Sequence, residues 1–374
     1  MGKKILVIGG GFIGGIIAKD LKQAGYTVSV ADFDAKLAEK FEKQDIGFVQ
    51  VDVTDSKSVK AAVEDFDVVA GAVPSKFGFA MTKAVIEAGK PLADVSFTPE
   101  DARQLSALAK EKGVPVVIDC GFAPGMPNLI WGRAIENQFS SIEDATYYVG
   151  GIPEKKRPPW NYVSTWCVED TIEEFTRPAR VKRDNQIVTL PAASDLEPKT
   201  IDELKDVELE AFVTDGLRSL LDLPIPAMQE KTLRYPGHVA DMLKLRDSGA
   251  LSGDKLKSTT EQLANEWKAT DEFKRDVVIL QSVITGTGKQ SGKRARETMT
   301  MIDRYDDATQ LTAMSRCTAF SVSITAQLLA EGEFSTSGVH PPETLGRDET
   351  VFQRYMTLYK QRGIEFKFRV ETLE

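Results

Sequence analysis

The chain has 374 residues, 42% hydrophobic and 28% charged, the balance of a soluble globular protein with room for two domains. Its 47 Lys and Arg against 56 Asp and Glu leave a net charge of −9, which argues against nucleic acid or an anionic membrane as partner. Three scattered cysteines and two histidines form neither a disulfide framework nor a metal-ligand pattern, so a reduced, cytoplasmic protein without a metal is expected.

The first predicted element is a strand over 4–8, followed by the glycine-rich "GGGFIGG" and an apolar helix. This opening admits three readings: a phosphate-cradling loop, the apolar stretch of a secretory leader, or a plain glycine turn. Lys3 and Lys4 before the apolar run suit a leader, but five glycines interrupt the run and no cleavage-type segment follows. Further strands are predicted at 27–31, 48–53, 67–73, 91–97 and 114–120, with helix-period stretches such as 79–89 between them. Short β-rich runs alternating with helices predict an α/β fold, a doubly wound parallel Rossmann sheet. Before the fifth of those helices, Thr98 is the predicted cap, Pro99 and Asp101 suit the first turn, and Ala102, Leu105, Leu108 and Ala109 share a buried face.

In that context Gly9, Gly11 and Gly14 read as G-x-G-x-x-G, with Phe12 and Ile13 opening the helix. The glycines permit a tight turn, backbone approach to a pyrophosphate, and close helix–strand packing. Asp32, at the end of the second strand, is placed to accept both ribose hydroxyls and to repel a 2′-phosphate, so NAD is expected over NADP. Asp34 reads as the cap of the helix over 35–43. Later strand ends are expected to carry the rest of the cofactor. Asp52 and Val53 would flank adenine, and Ala72, Val73 and Pro74 the ribose and pyrophosphate. Asp94, Val95 and Cys120 would approach the nicotinamide, with Ala123 and Pro124 just beyond.

After residue 133 the alternation changes. Runs at 145–153, 161–168, 207–214, 231–238, 276–288 and 296–303 read as mostly antiparallel strands, the last two as a hairpin with a solvated basic tip. Residues 311–332 read as a long buried helix returning to the first domain. The expected organisation is a cofactor domain of 1–124 plus about 310–374, with an inserted α+β substrate-binding and dimerisation domain at about 125–309.

The segments "DVSFTPED", "DCGFAPGMPNLIWGR", "YYVGGIP", "TRPARV", "EAFVTDGLRSLL" and "KTLRYPGH" resemble the saccharopine dehydrogenase-like superfamily, and within it most resemble the lysine 6-dehydrogenases. The resemblance implies NAD-dependent oxidative deamination at the ε-carbon of L-lysine. The product would be 2-aminoadipate 6-semialdehyde, which cyclises to piperideine-6-carboxylate, with loss of ammonia. It also implies a homodimer.

Such chemistry needs a neutral amine, an aimed C–H bond and a base for water. Asp119 at the end of the sixth strand, His238 after "RYPG" and Lys76 in the loop after the fourth strand are the candidates for proton transfer. Arg177, Arg218 and Arg234 are candidates for a substrate carboxylate, and Thr214 and Asp215 for its α-ammonium. Tyr148, Gly150 and Trp166 are candidate pocket residues. Cys120 suits packing or cofactor contact rather than nucleophilic attack. Two other readings stay open: a saccharopine-type reductase that forms a C–N bond, and a non-catalytic NAD-binding protein.

Overall fold

A computed structural model describes residues 2–374. The chain divides into two compact units, Met1–Asn137 with Arg316–Gly363, and Gln138–Ser315 with Ile364–Glu374. The first unit opens with β1 (Lys4–Ile8), α1 (Phe12–Gln23), β2 (Thr27–Asp32), α2 (Ala38–Glu42), β3 (Gly47–Gln50), α3 (Ser56–Val63), β4 (Val68–Gly71) and α4 (Ser75–Glu87). It continues through β5 (Leu92–Asp94), α5 (Ser106–Lys112), β6 (Pro115–Val117) and α6 (Met126–Arg133).

The second unit runs through β7 (Phe139–Pro153), α7 (Val168–Thr176), β8 (Ala179–Arg183), β9 (Gln186–Leu190), β10 (Glu197–Lys199), β11 (Leu209–Val213) and β12 (Ala227–Arg234). Then come α8 (His238–Asp247), α9 (Lys255–Glu266), β13 (Asp276–Gly288) and β14 (Arg294–Arg304). Helix α10 (Ala313–Glu331) carries the chain back to β15 (Gly338–His340), α11 (Pro342–Gly346) and α12 (Glu349–Gln361), and β16 (Phe366–Thr372) follows.

The first unit is built on a parallel sheet ordered β15-β6-β5-β4-β1-β2-β3. Its inner strands β1, β4, β5 and β6 are buried on both faces, which is why they read as unbroken apolar runs rather than alternating ones. Leu6, Ile8, Val69, Leu92 and Val116 meet Val59, Val63, Met81 and Val85 from the helices in one core. Each fully buried aliphatic side chain of this kind contributes about 1.5–3 kcal/mol. Returning helix α12 is tied to α1 by Arg362, whose guanidinium grips the Asp20 carboxylate at 2.7–3.0 Å.

The second unit holds a mixed sheet ordered β10-β11-β12-β7-β13-β14-β16, with β8 beside β12 and β9 beside β8. All its pairings are antiparallel except β12 with β7. Within this unit Asp276 caps the start of α10, accepting the Ala313 and Met314 amides at 2.7 and 3.0 Å.

The α/β class and the second, mostly antiparallel sheet follow the sequence expectation; several details do not. Residues 161–167 form no strand. Tyr162 instead packs with Phe175, Phe212 and Trp267 in a core beneath the helices, and α7 begins at Val168. The predicted strand over 231–238 stops at Arg234, because Gly237 turns the chain at φ +94° and His238 opens α8. Asp101, not Thr98, caps the turn before α5: its carboxylate accepts the Arg103 amide. The first unit reaches residue 137 rather than 124, because Gly132 on α6 and Gly346 on α11 let those helices meet backbone to backbone. Residues 364–374 belong to the second unit, not the first, because β16 pairs antiparallel with β14.

Candidate functional site

Strand order in the first unit reverses at β1, which lies between β2 and β4, and open parallel sheets bind ligands at the carboxyl edge beside such a reversal. Gly9 sits there at φ +106°, where an added Cβ would overlap the Ala72 carbonyl. A Cβ on Gly14 would overlap the carbonyl of Gly9. Gly11, by contrast, faces open space and caps α1 with no side-chain bond, so backbone N–H groups and the positive helix end present themselves outward. This is a cradle that fits a pyrophosphate. Phe12 is exposed beside it, and Ile13 is half-buried.

Asp32 ends β2 with its carboxylate accepting the Gly10 amide at 2.6 Å and the Asp34 amide at 3.0 Å. Asp34 in turn caps the short helical turn before α2. Phe33 stands 75% exposed beside Asp32, an aromatic that the sequence reading passed over. Asp52 lies past the end of β3, where Thr54 holds its carboxyl below the usual range through hydroxyl and amide bonds. Val53 is half-buried next to it. Ala72, Val73 and Pro74 follow β4, Pro74 serving as the cap of α4. Lys76 therefore lies in the first turn of α4 rather than in a loop, exposed, with its ammonium 4.8 Å from the Phe77 ring centre.

At the end of β5, Asp94 is completely buried in a space that Gly71 leaves open. Ser96 donates its hydroxyl to Asp94 at 2.9 Å. Burial pushes the Asp94 carboxyl up to about 7, and the neighbouring Asp119 charge adds to the rise. Val95 donates its amide to Gly71. Asp119, also buried, holds a left-handed φ of +54°, uncommon for a non-glycine residue. Cys120 follows, its amide on the Asp94 carbonyl and its thiol on the Val117 carbonyl, and burial raises the thiol pKa well above its ordinary value. It is a packing residue, not a thiolate. Beyond it the Pro124 carbonyl accepts the Gly121 amide, and Ala123 is half-buried.

The second unit carries the remaining candidates. Arg234 is 3% exposed on its side chain and forks onto Glu174 at 2.6 and 2.8 Å. Asp215 is gripped by Arg180 through backbone and guanidinium at 3.0–3.1 Å, with Arg177 at 3.6 Å. Thr214 shares a hydroxyl bond with Thr232 at 2.8 Å. Arg218 is half-buried at φ +46°, again left-handed. Arg234 and Asp215 thus have their charges matched inside the unit, which corrects the expectation that both would be available to substrate.

His238 requires a larger correction. It is fully buried among Tyr162, Phe175 and Trp267, and its Nδ1 donates to the Trp160 carbonyl at 2.9 Å. Burial, with the Arg234 charge, drives its pKa down to about 3. A neutral, enclosed imidazole cannot exchange protons with a substrate at neutral pH. Tyr148 lies on the sheet face opposite Tyr147 and lines a polar groove of about 430 Å³ with Lys199, Gln281 and Arg296. Gly150 is a packing glycine, since a Cβ there would press on Leu233 at 2.7 Å. Trp166 is 40% exposed.

Glu174 and Glu230 escaped the sequence reading. Glu230 is buried in the space Gly216 provides, and burial with the Glu174 charge lifts its carboxyl to about 8. The period-two set Met228, Glu230, Thr232, Arg234 on β12 is the signal that places it on one buried face.

Two family models match the chain. The model for the saccharopine dehydrogenase NADP binding domain matches residues 5–117, and that for the saccharopine dehydrogenase C-terminal domain matches 121–364. An L-glutamate-forming, NADP(+) saccharopine dehydrogenase of Pyricularia oryzae is 25% identical over 195 residues, 50% of this chain and 43% of that protein. Its Saccharomyces cerevisiae counterpart is 24% identical over 275 residues, 68% of this chain and 60% of that protein. The matched stretch thus spans under two thirds of either relative. The solved apo structure of an L-Glu-forming saccharopine dehydrogenase from Saccharomyces cerevisiae aligns with a TM-score of 0.83 at 18% identity, covering 99% of this chain and 100% of that one. The fold is shared.

Proposed function

Because the chain belongs to the saccharopine dehydrogenase family, we propose that it is an NAD-dependent, cytoplasmic and homodimeric amino-acid dehydrogenase that deaminates L-lysine or a related diamino acid at the ε-carbon. The net reaction is lysine, NAD and water giving the semialdehyde, ammonia, NADH and a proton. The observation that carries the cofactor half is the Asp32 carboxylate at the end of β2, braced by Gly10 and Asp34. A 2′-phosphate brought to about 4 Å would meet about 1–4 kcal/mol of repulsion, depending on screening. Gly9, Gly11 and Gly14 would hold the pyrophosphate, and Phe33 offers its face to adenine. The lysine half is supported by the "TRPAR", "TDGLRS" and "RYPGH" segments.

When bound, the nicotinamide supplies the hydride acceptor. The chain's own residues must then hold the substrate and move protons. We assign Asp119 to receive the ammonium proton and to orient the attacking water. It follows β6, buried, in a left-handed backbone conformation, and conformations of this kind persist where the surroundings enforce them. Asp94 is its buried neighbour, and burial, with the Asp119 charge adding to it, pushes the Asp94 carboxyl up to about 7. Within the second unit, Arg218, also left-handed, is the candidate for a substrate carboxylate and Thr214 for an α-ammonium. An ordinary lysine ammonium has a pKa of about 10.4, so turnover should rise toward alkaline pH.

A second reading has its own support, since the named relatives are saccharopine dehydrogenases that use NADP(+). Under it the chain would join an amino acid to a keto acid by reductive C–N bond formation. Lysine deuterated at C6, incubated with NAD alone, separates the two. Labelled NADH with ammonia release supports ε-deamination. Label arriving from C2 makes the chain an α-amino-acid dehydrogenase, and turnover only with added keto acid and NADPH selects the saccharopine-type reaction.

A further inference from the structure

Strand β16 ends the second unit's sheet, with β14 on one side and no strand on the other among the described residues. Natural sheets blunt such edges with proline, bulges or covering segments, because a row of outward amides templates another strand. Here Lys367–Thr372 are all exposed, the stretch contains no proline, and Val370 is 63% exposed. The backbone phase is set by Leu373, whose amide bonds the Arg294 carbonyl in the β14 pairing. By the two-residue period, residues 369 and 371 turn their amides toward β14, and 370 and 372 turn theirs to the open edge. Side chains alternate on the other axis. Arg369 and Glu371 lie on the face of the polar groove, where Arg369 meets Glu371 at 3.2 Å and Asp202 at 3.1 Å on the exposed surface, and Phe368 and Val370 lie on the opposite face.

We infer that a second copy of this chain docks on this edge, β16 antiparallel to β16 across a two-fold axis, and continues the two sheets as one. The inference rests on the homodimer reading above and adds the surface that makes it. The charges select one register. Antiparallel pairing that uses the outward amides must place even-numbered residues opposite even-numbered ones. Centring the axis on Arg369 would set Arg369 against Arg369 of the partner subunit, and centring it on Glu371 would set two glutamates face to face. Like charges directly opposite destabilise a strand pair. Centring on Val370 sets Arg369 against Glu371 of the partner subunit, and by symmetry the reverse pair as well. Val370 then meets Val370 of the partner subunit on the other face. Isologous pairing of this kind closes after two copies and leaves no repeating edge.

Sedimentation equilibrium over a dilution series of the full chain tests this. The wild type should show twice the chain mass, dissociating on dilution. Arg369→Glu should weaken association at least about 10-fold, because the new carboxylate faces Glu371 of the partner subunit, and the two-fold axis repeats that like-charge pair. Adding Glu371→Arg to it exchanges the charges and should restore association to within about 3-fold of wild type. Val370→Pro deletes an outward amide that β14 does not use, so the variant should be a folded monomer, with its melting transition recorded to confirm folding. A wild-type dimer that tolerates Arg369→Glu unchanged, or a charge exchange that fails to restore it, overturns this interface while leaving the homodimer reading intact. A wild type that stays monomeric throughout overturns both.

Discussion

The Oδ2 of Asp32 accepts the Gly10 amide at 2.6 Å, so one carboxylate ties the glycine loop after β1 to the end of β2. The residue that would read the ribose is therefore also a brace of the loop that would hold the pyrophosphate. Asp32→Ser should weaken NAD by about 10–100-fold and relax discrimination against NADP. Steady-state kinetics with both cofactors checks this, and equal effects on both would reduce Asp32 to a brace.

Two glycines of the loop should separate folding from binding. Gly11→Ala adds a methyl into open space, so its melting temperature should match wild type while cofactor affinity falls about 10-fold or more. Gly14→Ala forces a methyl onto the Gly9 carbonyl and should lower both. A thermal scan paired with a cofactor titration reads the contrast. Loss of stability in Gly11→Ala would contradict the open geometry.

Asp94 should make stability depend on pH. Its folded pKa, about 7, lies above the ordinary 3.8, so its contribution is complete below about pH 4 and lost as pH rises toward 7. Asp94→Asn carries no charge at any pH and should gain on wild type across that window, by on the order of 4 kcal/mol at most, then level off. Denaturant midpoints of both proteins at acid, intermediate and neutral pH measure it. A constant difference would mean that Asp94 does not titrate there.

His238→Gln should leave the pH–rate profile in place, because the native imidazole is neutral throughout the working range. Removing a ring packed against Tyr162, Phe175 and Trp267 should cost about 1–3 kcal/mol of stability. Should kcat instead fall about 100-fold with stability unchanged, His238 would regain an acid–base role.

Much of the first unit can be read from the chain because its determinants are local. An apolar run, a tight glycine turn and an apolar helix face are contiguous in sequence, and Asp32 follows its glycines by one helix and one strand. The same locality identified β7, β13 and the hairpin to β14. Where the reading failed, distant residues held the answer. Residues 161–167 have the composition of a strand, yet Tyr162 finds its partners at Phe175, Phe212 and Trp267, and aromatic packing wins over a ladder. His238 has the side chain of an acid–base catalyst, and only the rings closing around it, with Arg234 nearby, keep it neutral. Arg234 and Asp215 carry charges suited to a substrate, but Glu174 and Arg180, 60 and 35 residues away, claim them first. Local pattern sets which elements form, since backbone bonds and apolar periodicity act over a few residues. The protonation and availability of a side chain depend on burial and neighbouring charge, and those exist only once the chain has folded.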